Sequence, residues 1–274
     1  MLNLAEVQKY LDVATKAAMA GGEILREGWK KAIAIRDKKI PGDLVTEIDE
    51  LSEKTIIEII RQNFPDHPIM AEESGFQSAD RNEILWCIDP LDGTTNYTHH
   101  YPFVAVSIAM LYQRQAIVGV VYNPILDELF RGAKGLGALL NHHDIAVSNV
   151  KDLEKSLLAT GFPYNRRETE DNNFKEFYHL LNKSQGVRRA GAASLDLAYV
   201  ATGRIDGYWE SGLKSWDVAA GAVLVEEAGG KVTSYNGEPL NILNPKILAS
   251  NAYLHDQLIS ELSNIKELNL RINK

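Results

Sequence analysis

The chain is short of several things that would have narrowed its class in other directions. It holds one cysteine, Cys87, among 274 residues. That excludes an intramolecular disulfide and any thiolate cluster for zinc or iron, and its setting in an apolar run marks it as an inert core residue. No apolar stretch approaches the roughly 18 to 20 residues of a membrane span. The opening Met1–Glu6 has neither a basic segment nor an apolar one, so the expectation is a cytoplasmic protein without a secretory leader. Basic residues are also in deficit, 29 Lys and Arg against 37 Asp and Glu, for a formal charge of -8. A general nucleic-acid binder displaces counterions with Lys and Arg, so no nucleic-acid partner is expected. There is no internal repeat and no low-complexity tract.

What remains is ordinary for a globular protein, with 45% hydrophobic and 24% charged residues. Leu4, Val7, Leu11, Ala14, Ala18, Ile24 and Leu25 recur at helical spacing, predicting a helix to about Lys31 that Gly21-Gly22 could bend. Residues 37–43 read as a polar turn. Thr46 with Asp49 is a start signal for a second helix, which ends before Pro65. Two short apolar runs, His67–Ala71 and Ile84–Ile88, read as strands that release Glu72 and Asp89 at their ends. Two hairpins follow, over Phe103–Tyr122 and Glu128–Leu140. Further strands are expected near residues 157–160, 206–210, 231–234 and 247–249, with helices near 171–181, 195–201, 215–226 and 254–262. The fold class is α+β, with a tightly packed boundary near residue 150 between an N-terminal half, 1–150, and a C-terminal half, 151–274.

The chemistry gathers around Trp86–Asn96. An apolar strand runs into Asp89 and Asp92, three positions apart, and then into Gly93-Thr94-Thr95. Acids at a strand end can hold a hard cation, and a turn of small residues presents backbone N–H groups to phosphate. Singly, each acid reads as a surface group or a helix cap. Glu72, Asp89, Asp92 and the distant Asp217 together make an all-oxygen donor set, which suits Mg²⁺ and not zinc or copper. His99-His100 and His142-His143 are adjacent pairs in polar loops and do not read as ligands. Trp86 and Trp216, flanking the acids, read as packing.

Ala71-Glu72-Glu73-Ser74, the run Asp89–Asn96 and Ser215–Gly221 resemble the three signatures of the inositol monophosphatase family. Asp43–Asp49 and Glu227–Gly230 match its other recurrent segments, so the resemblance spans about residues 5 to 260. It implies a layered α/β/α/β/α sandwich of the sugar-phosphatase type, with the site between the two halves. It implies two or three Mg²⁺ ions, held by Glu72, Asp89, the Leu91 carbonyl, Asp92 and Asp217. Thr94, paired with Glu72 or Asp49, would orient and deprotonate the attacking water, and Asp49 would hold waters of a third ion. Gly93, Thr94 and Thr95 would bind phosphate. Ala193 and Glu210, with Asp92 and Asp217, would contact the alcohol. Lithium inhibition and a homodimer are implied in the same way.

The expected function is hydrolysis of inositol monophosphate or a related small polyol phosphate by direct attack of a metal-activated water. The sequence departs from the family where Ala192 replaces a frequent Thr or Ser and Lys214 a His. Arg166, Arg167, Arg188, Arg189 and Lys214 read either as a solvated face or as a hold for a second phosphate. The latter keeps open the same-fold phosphatases of fructose bisphosphate, 3'-phosphoadenosine phosphate and NADP. An alternative of another class is a non-catalytic phosphate-binding module, which would not need the full acid set.

Overall fold

The computed structural model describes residues 2–31, 35–37, 44–77 and 83–265. Asp43 and most of the polar turn expected at 37–43 lie outside the described residues. Helix α1 (Leu4–Gly28) opens with a capping box in which Asn3 and Glu6 satisfy each other's backbone N–H groups. Its buried stripe of Val7, Leu11, Ala14, Ala18 and Leu25 follows the predicted face. The helix continues through Gly21-Gly22 to Gly28. A Cβ on Gly22 would stand 2.4 Å from the Tyr122 ring, and the glycine is there to let the helix lie on the sheet. After short strands β1 (Ile35–Asp37) and β2 (Leu44–Thr46), α2 (Glu47–Asn63) starts at the expected Thr46–Asp49 capping box.

The larger sheet is built from β3 (Ile69–Ala71), β4 (Gly75–Gln77), β5 (Ile84–Asp92), β6 (Ala105–Tyr112), β7 (Gln115–Asn123), β8 (Glu128–Ala133), β9 (Gly137–Leu140) and β10 (His143–Asp144), in the order β10-β9-β8-β7-β6-β5-β3-β4. Among the described residues only β3 and β5 run parallel in it. The short helix α3 (Thr94–Thr98) follows β5. The smaller sheet orders β12 (Gly186–Arg188), β11 (Leu157–Thr160), β13 (Gly207–Ser211), β15 (Lys246–Ser250) and β14 (Lys231–Ser234), with β11 parallel to both neighbours. Strand β12 and the edge strand β4 gave no apolar alternation and were not among the expected elements.

Helices α5 (Ala193–Ala201) and α6 (Ser215–Glu227) pack against both sheets, while α1 and α2 cover the outer face of the large one. The outer face of the small sheet carries α4 (Phe174–Leu181) and α7 (His255–Ser263). Helix α4 begins three residues later than the periodicity from Asp171 suggests. The result is an α/β/α/β/α sandwich. Apolar clusters fill its interfaces: Leu25, Ile56, Ile60 and Trp86 under α1 and α2, Leu195, Leu197, Val218 and Leu224 between the sheets, and Leu158, Trp209 and Leu258 under α4 and α7. Helix α6 has no polar face because every residue from Val218 to Val225 is buried, and it closes on Gly229 (φ 86°) with Gly230 N–H donating to the Val225 carbonyl.

Candidate active site

Parallel pairing of β3 and β5 is what brings the first two acids together. Ala71 registers with Ile88, so the chain leaves both strands at one edge, with Glu72 and Asp89 side by side. The Glu72 N–H extends the ladder by donating to the Ile88 carbonyl at 3.1 Å. Beyond Asp89 the pairing of β5 with β6 slips its register before Asp92. Pro90 has no N–H for a ladder, and the Leu91 N–H turns to Asp89 Oδ1 at 3.0 Å. The irregularity sets Asp89, Leu91 and Asp92 on the wall of one cavity of about 220 Å³, together with Glu72, Thr94, Glu210, Trp216 and Asp217.

Asp92 reaches across to helix α5. Its Oδ2 accepts from the N–H and the hydroxyl of Ser194, at 2.7 and 2.6 Å, and the Ala193 N–H also donates to the carboxylate. The N-cap of helix α5 is Ala192, whose side chain cannot cap it, and Asp92 supplies that cap through Ser194, 102 positions away. Asp217 sits in the first turn of α6, where its Oδ2 accepts from the Lys214 N–H at 2.6 Å. Asp89, Asp92 and Asp217 are thus each anchored by backbone or hydroxyl donors.

Among the residues that line this cavity the basic one, Lys214, is exposed. Burial, reinforced by the charges of Glu72, Asp92 and Asp217, raises the Asp89 carboxyl well above the carboxylate range, and a hydrogen bond with Glu72 adds to the rise. Asp217 is raised by burial and then by Asp92 and Glu72. Burial pushes Asp92 up to about 6, although the Ser194 and Ala193 donors hold it back. Among the described residues no three acidic, His or Cys side chains are drawn to a single point, so the carboxylates line a cavity without already forming a closed cage. Asp89, Asp92 and Asp217, their proton affinity raised by burial, fit a hard divalent ion, which would take the place of the protons.

A pH dependence follows. The folded-state values of Asp92 and Glu210 lie above their ordinary 3.8 and 4.5, at about 6 and about 7. An acid whose folded value is raised contributes stability below its unfolded value and loses it as pH climbs through the folded one. The metal-free protein is therefore expected to lose melting temperature between about pH 4 and about pH 7, with Mg²⁺ restoring more at the higher pH. Calorimetry with and without Mg²⁺ measures this, and an equal metal effect at both pH values would contradict it.

Thr94 is buried, and its Oγ1 lies 3.2 Å from both Asp49 Oδ1 and the Leu91 carbonyl. Asp49 itself is fully buried and is not on the cavity wall. Its other oxygen accepts from the Thr46 N–H and hydroxyl at 2.9 and 2.5 Å, so it meets the site through Thr94. Gly93, at φ 92°, turns the chain from β5 into α3. The first intrahelical donor is Tyr97 N–H, to the Gly93 carbonyl, which leaves the Thr94 and Thr95 N–H groups at the open end of the turn. Asn96 ties the turn to two distant segments, donating through Nδ2 to Phe103 and Ala190 carbonyls at 2.8 Å each.

Glu210 is buried on β13, accepts from the Tyr208 hydroxyl at 2.6 Å, and lines the cavity; Ala193 borders the adjoining 90 Å³ space. The five basic residues do not form one group. Lys214 is exposed at the mouth of the carboxylate cavity, and Arg188, also exposed, lies on neither cavity's wall. Arg166, Arg167 and Arg189 instead border a neighbouring space of about 700 Å³ with Gly93 and Thr95. Both His pairs are exposed, and Cys87 is buried with its thiol pushed up to about 12. Ser194 and Asn96 were not among the expected site residues; Asn96 stood inside the motif, whereas no local signal marks Ser194.

Three comparisons bear on this arrangement. The sequence matches the profile of the inositol monophosphatase family over residues 6–267. It is 50% identical to an inositol-1-monophosphatase of Synechocystis, across 94% of this chain and 90% of that protein. It is 43% identical to the Nus factor SuhB of Pseudomonas aeruginosa, across 93% and 96% of the two. The solved inositol monophosphatase from Anabaena (Nostoc) superposes with a TM-score of 0.87 at 52% identity, covering 95% of this chain and 98% of that one.

Proposed function

Because this chain belongs to the inositol monophosphatase family and is a phosphoric monoester hydrolase, we propose that it hydrolyses inositol monophosphate or a closely related polyol phosphate with Mg²⁺. The observation that carries this reading is the convergence of Glu72, Asp89, Asp92 and Asp217, with Leu91, on one cavity beside the Gly93 turn. These side chains and the Leu91 carbonyl would hold two ions, with a third more loosely placed. When bound, such ions supply a hydroxide-like nucleophile at neutral pH and offset charge on the leaving oxygen.

The protein's own groups do the rest. Thr94 and Thr95 N–H groups at the open turn bind the phosphate oxygens. Thr94 Oγ takes a proton from the attacking water as its own passes to Asp49 Oδ1, the acceptor beside it at 3.2 Å. Glu210, raised to about 7 by burial, is part protonated at neutral pH and can either donate to or accept from a polyol hydroxyl. Asp92, held by Ser194, ties the residue 1–150 and 151–274 halves together at the substrate. A non-catalytic binding module has no use for a proton acceptor set behind the Thr94 hydroxyl.

Release of phosphate from inositol monophosphate should require Mg²⁺, stop with chelator, return on its restoration and fall with added Li⁺. Absence of Mg²⁺-dependent release from inositol monophosphate and a panel of small polyol phosphates would overturn the assignment.

A further inference from the structure

We propose that Glu53, a buried acid of α2 that stands outside the carboxylate cavity, is a positioning residue, setting Glu72 toward the metal through the Glu73 and Ser74 backbone. On the reading of Glu72 as a metal ligand, on which this rests, Glu53 supplies the group that aims it. Glu72 opens the turn at residues 72–74 that joins β3 to β4. The sheet fixes the entry to this turn, where the Glu72 N–H donates to the Ile88 carbonyl at 3.1 Å. The exit leads through Gly75, at φ 73°, into β4, which is three residues long and stands at the end of the sheet order. An edge strand is paired on one side only, so the sheet by itself holds the turn weakly.

Glu53 holds it from the helical layer. Its Oε2 accepts from the Glu73 N–H at 2.8 Å and its Oε1 from the Ser74 N–H at 2.9 Å. Successive donors on the two oxygens of one carboxylate are charge-assisted bonds that fix both the position and the tilt of the turn. The residue is 4% exposed, a depth at which a glutamate is rarely found unless it is paired. Its side chain does not line the carboxylate cavity, so what it contributes there it contributes through the backbone after Glu72.

Glu53 belongs to a set. Asp49, Ser52 and Glu53 are three and four positions apart, the spacing that puts side chains on one helical face. Each meets a different segment of the site. Asp49 Oδ1 accepts from Thr94 Oγ1 at 3.2 Å, Ser52 Oγ donates to the Pro90 carbonyl at 3.1 Å between Asp89 and Leu91, and Glu53 takes the turn after Glu72. One face of α2 therefore registers three stretches of chain that come from separate places in the sequence. Helix α1 braces that face, since a Cβ on Gly21 would stand 2.9 Å from Ser52 Oγ. Removing a group that orients a metal ligand typically costs about 10- to 100-fold in metal affinity.

The test is Glu53→Gln, which keeps the shape of the side chain but turns an amide toward one of the two N–H groups. Mg²⁺ is titrated into the metal-free protein and the rise in melting temperature followed, which reads affinity without turnover. Phosphate release from inositol monophosphate is followed over the same Mg²⁺ range. Both midpoints should move to about tenfold higher Mg²⁺ or more, while kcat and KM at saturating Mg²⁺ stay within about threefold of wild type. A residue that only stabilised the fold would lower the melting temperature and leave both midpoints in place. Glu58→Gln removes the same charge from an exposed position on the groove that Glu53 also borders, and should move neither midpoint. If Glu53→Gln melts too low to titrate, Glu53→Asp keeps both oxygens one methylene further back and should show the same upward shift, smaller in size. Unchanged midpoints in the folded variant, or an equal shift in Glu58→Gln, would overturn the positioning role. A wild type that needed Mg²⁺ beside an indifferent Glu53 variant would remove this role alone. A wild type that neither gained melting temperature with Mg²⁺ nor required it for phosphate release would remove the metal reading and this role with it.

Discussion

Asp217→Asn is expected to reduce phosphate release at least about 10²-fold at saturating Mg²⁺, because it removes a full charge from the cavity where the transition state needs one held cation per developing charge. The fold should survive the change. Asp217 Oδ2 accepts from the Lys214 N–H at 2.6 Å, and the carbonyl oxygen of an asparagine can accept the same bond. Electrostatically the substitution is a relief, since burial and the charges of Asp92 and Glu72 already raise the Asp217 carboxyl. The metal-free variant should therefore melt no lower than the wild type at neutral pH, while the rise in melting temperature on adding Mg²⁺ shrinks. Scanning calorimetry and a phosphate-release assay separate the two effects. Near-normal turnover would remove Asp217 from the metal set. A collapse of the melting temperature without metal would mean that its role is capping α6.

What could be read in advance follows from how locally each feature is encoded. The Thr46–Asp49 capping box, the apolar face of α1 and the glycine ending of α6 depend on residues within a turn of one another, and all were legible. The acids of the site were legible as a set because each stands in a distinctive short run. Their geometry was not. That Glu72 and Asp89 are neighbours depends on β3 pairing parallel to β5, and the Asp92 cap on α5 links residues 102 positions apart with only Ser194, a small residue in a small-residue segment, at the far end. Asp49 shows a similar limit. Its capping role was visible and the family resemblance offered it, or Glu72, as the partner of Thr94, yet only the packing of α2 under the turn reveals that it stands off the cavity wall. The basic residues looked like one cluster in sequence, and strand pairing separates Arg188 and Lys214 from the three around the larger cavity.

Gly119 holds the least legible requirement, a glycine in the middle of an apolar strand where the sequence suggests nothing beyond a weak position. On β7 it faces α6, and a Cβ there would lie 2.3 Å from the Ala220 carbonyl oxygen and 2.9 Å from its carbon. These are helix backbone atoms, which cannot rotate aside as a side chain does. Nor can α6 retreat, because on its other side Gly221 lies against Leu197 of α5, where an added Cβ would stand 2.4 Å from the Leu197 Cβ. The helix is wedged between sheet and helix by residues chosen for smallness. Gly119→Ala should consequently exceed ordinary overpacking of about 1 to 3 kcal/mol and lower the melting temperature by about 10 °C or more. Gly186→Ala is the matched control, since its Cβ would meet nothing nearer than 3.5 Å; its melting temperature should stay within about 2 °C of wild type. Whatever fraction of Gly119→Ala folds should also release phosphate slowly, because Ala220 is one turn from Asp217 and a displaced α6 moves that carboxylate from the other three. A melting temperature unchanged by Gly119→Ala would mean that α6 has room to move, and that Asp217 is positioned by its own cap and not by the wedge.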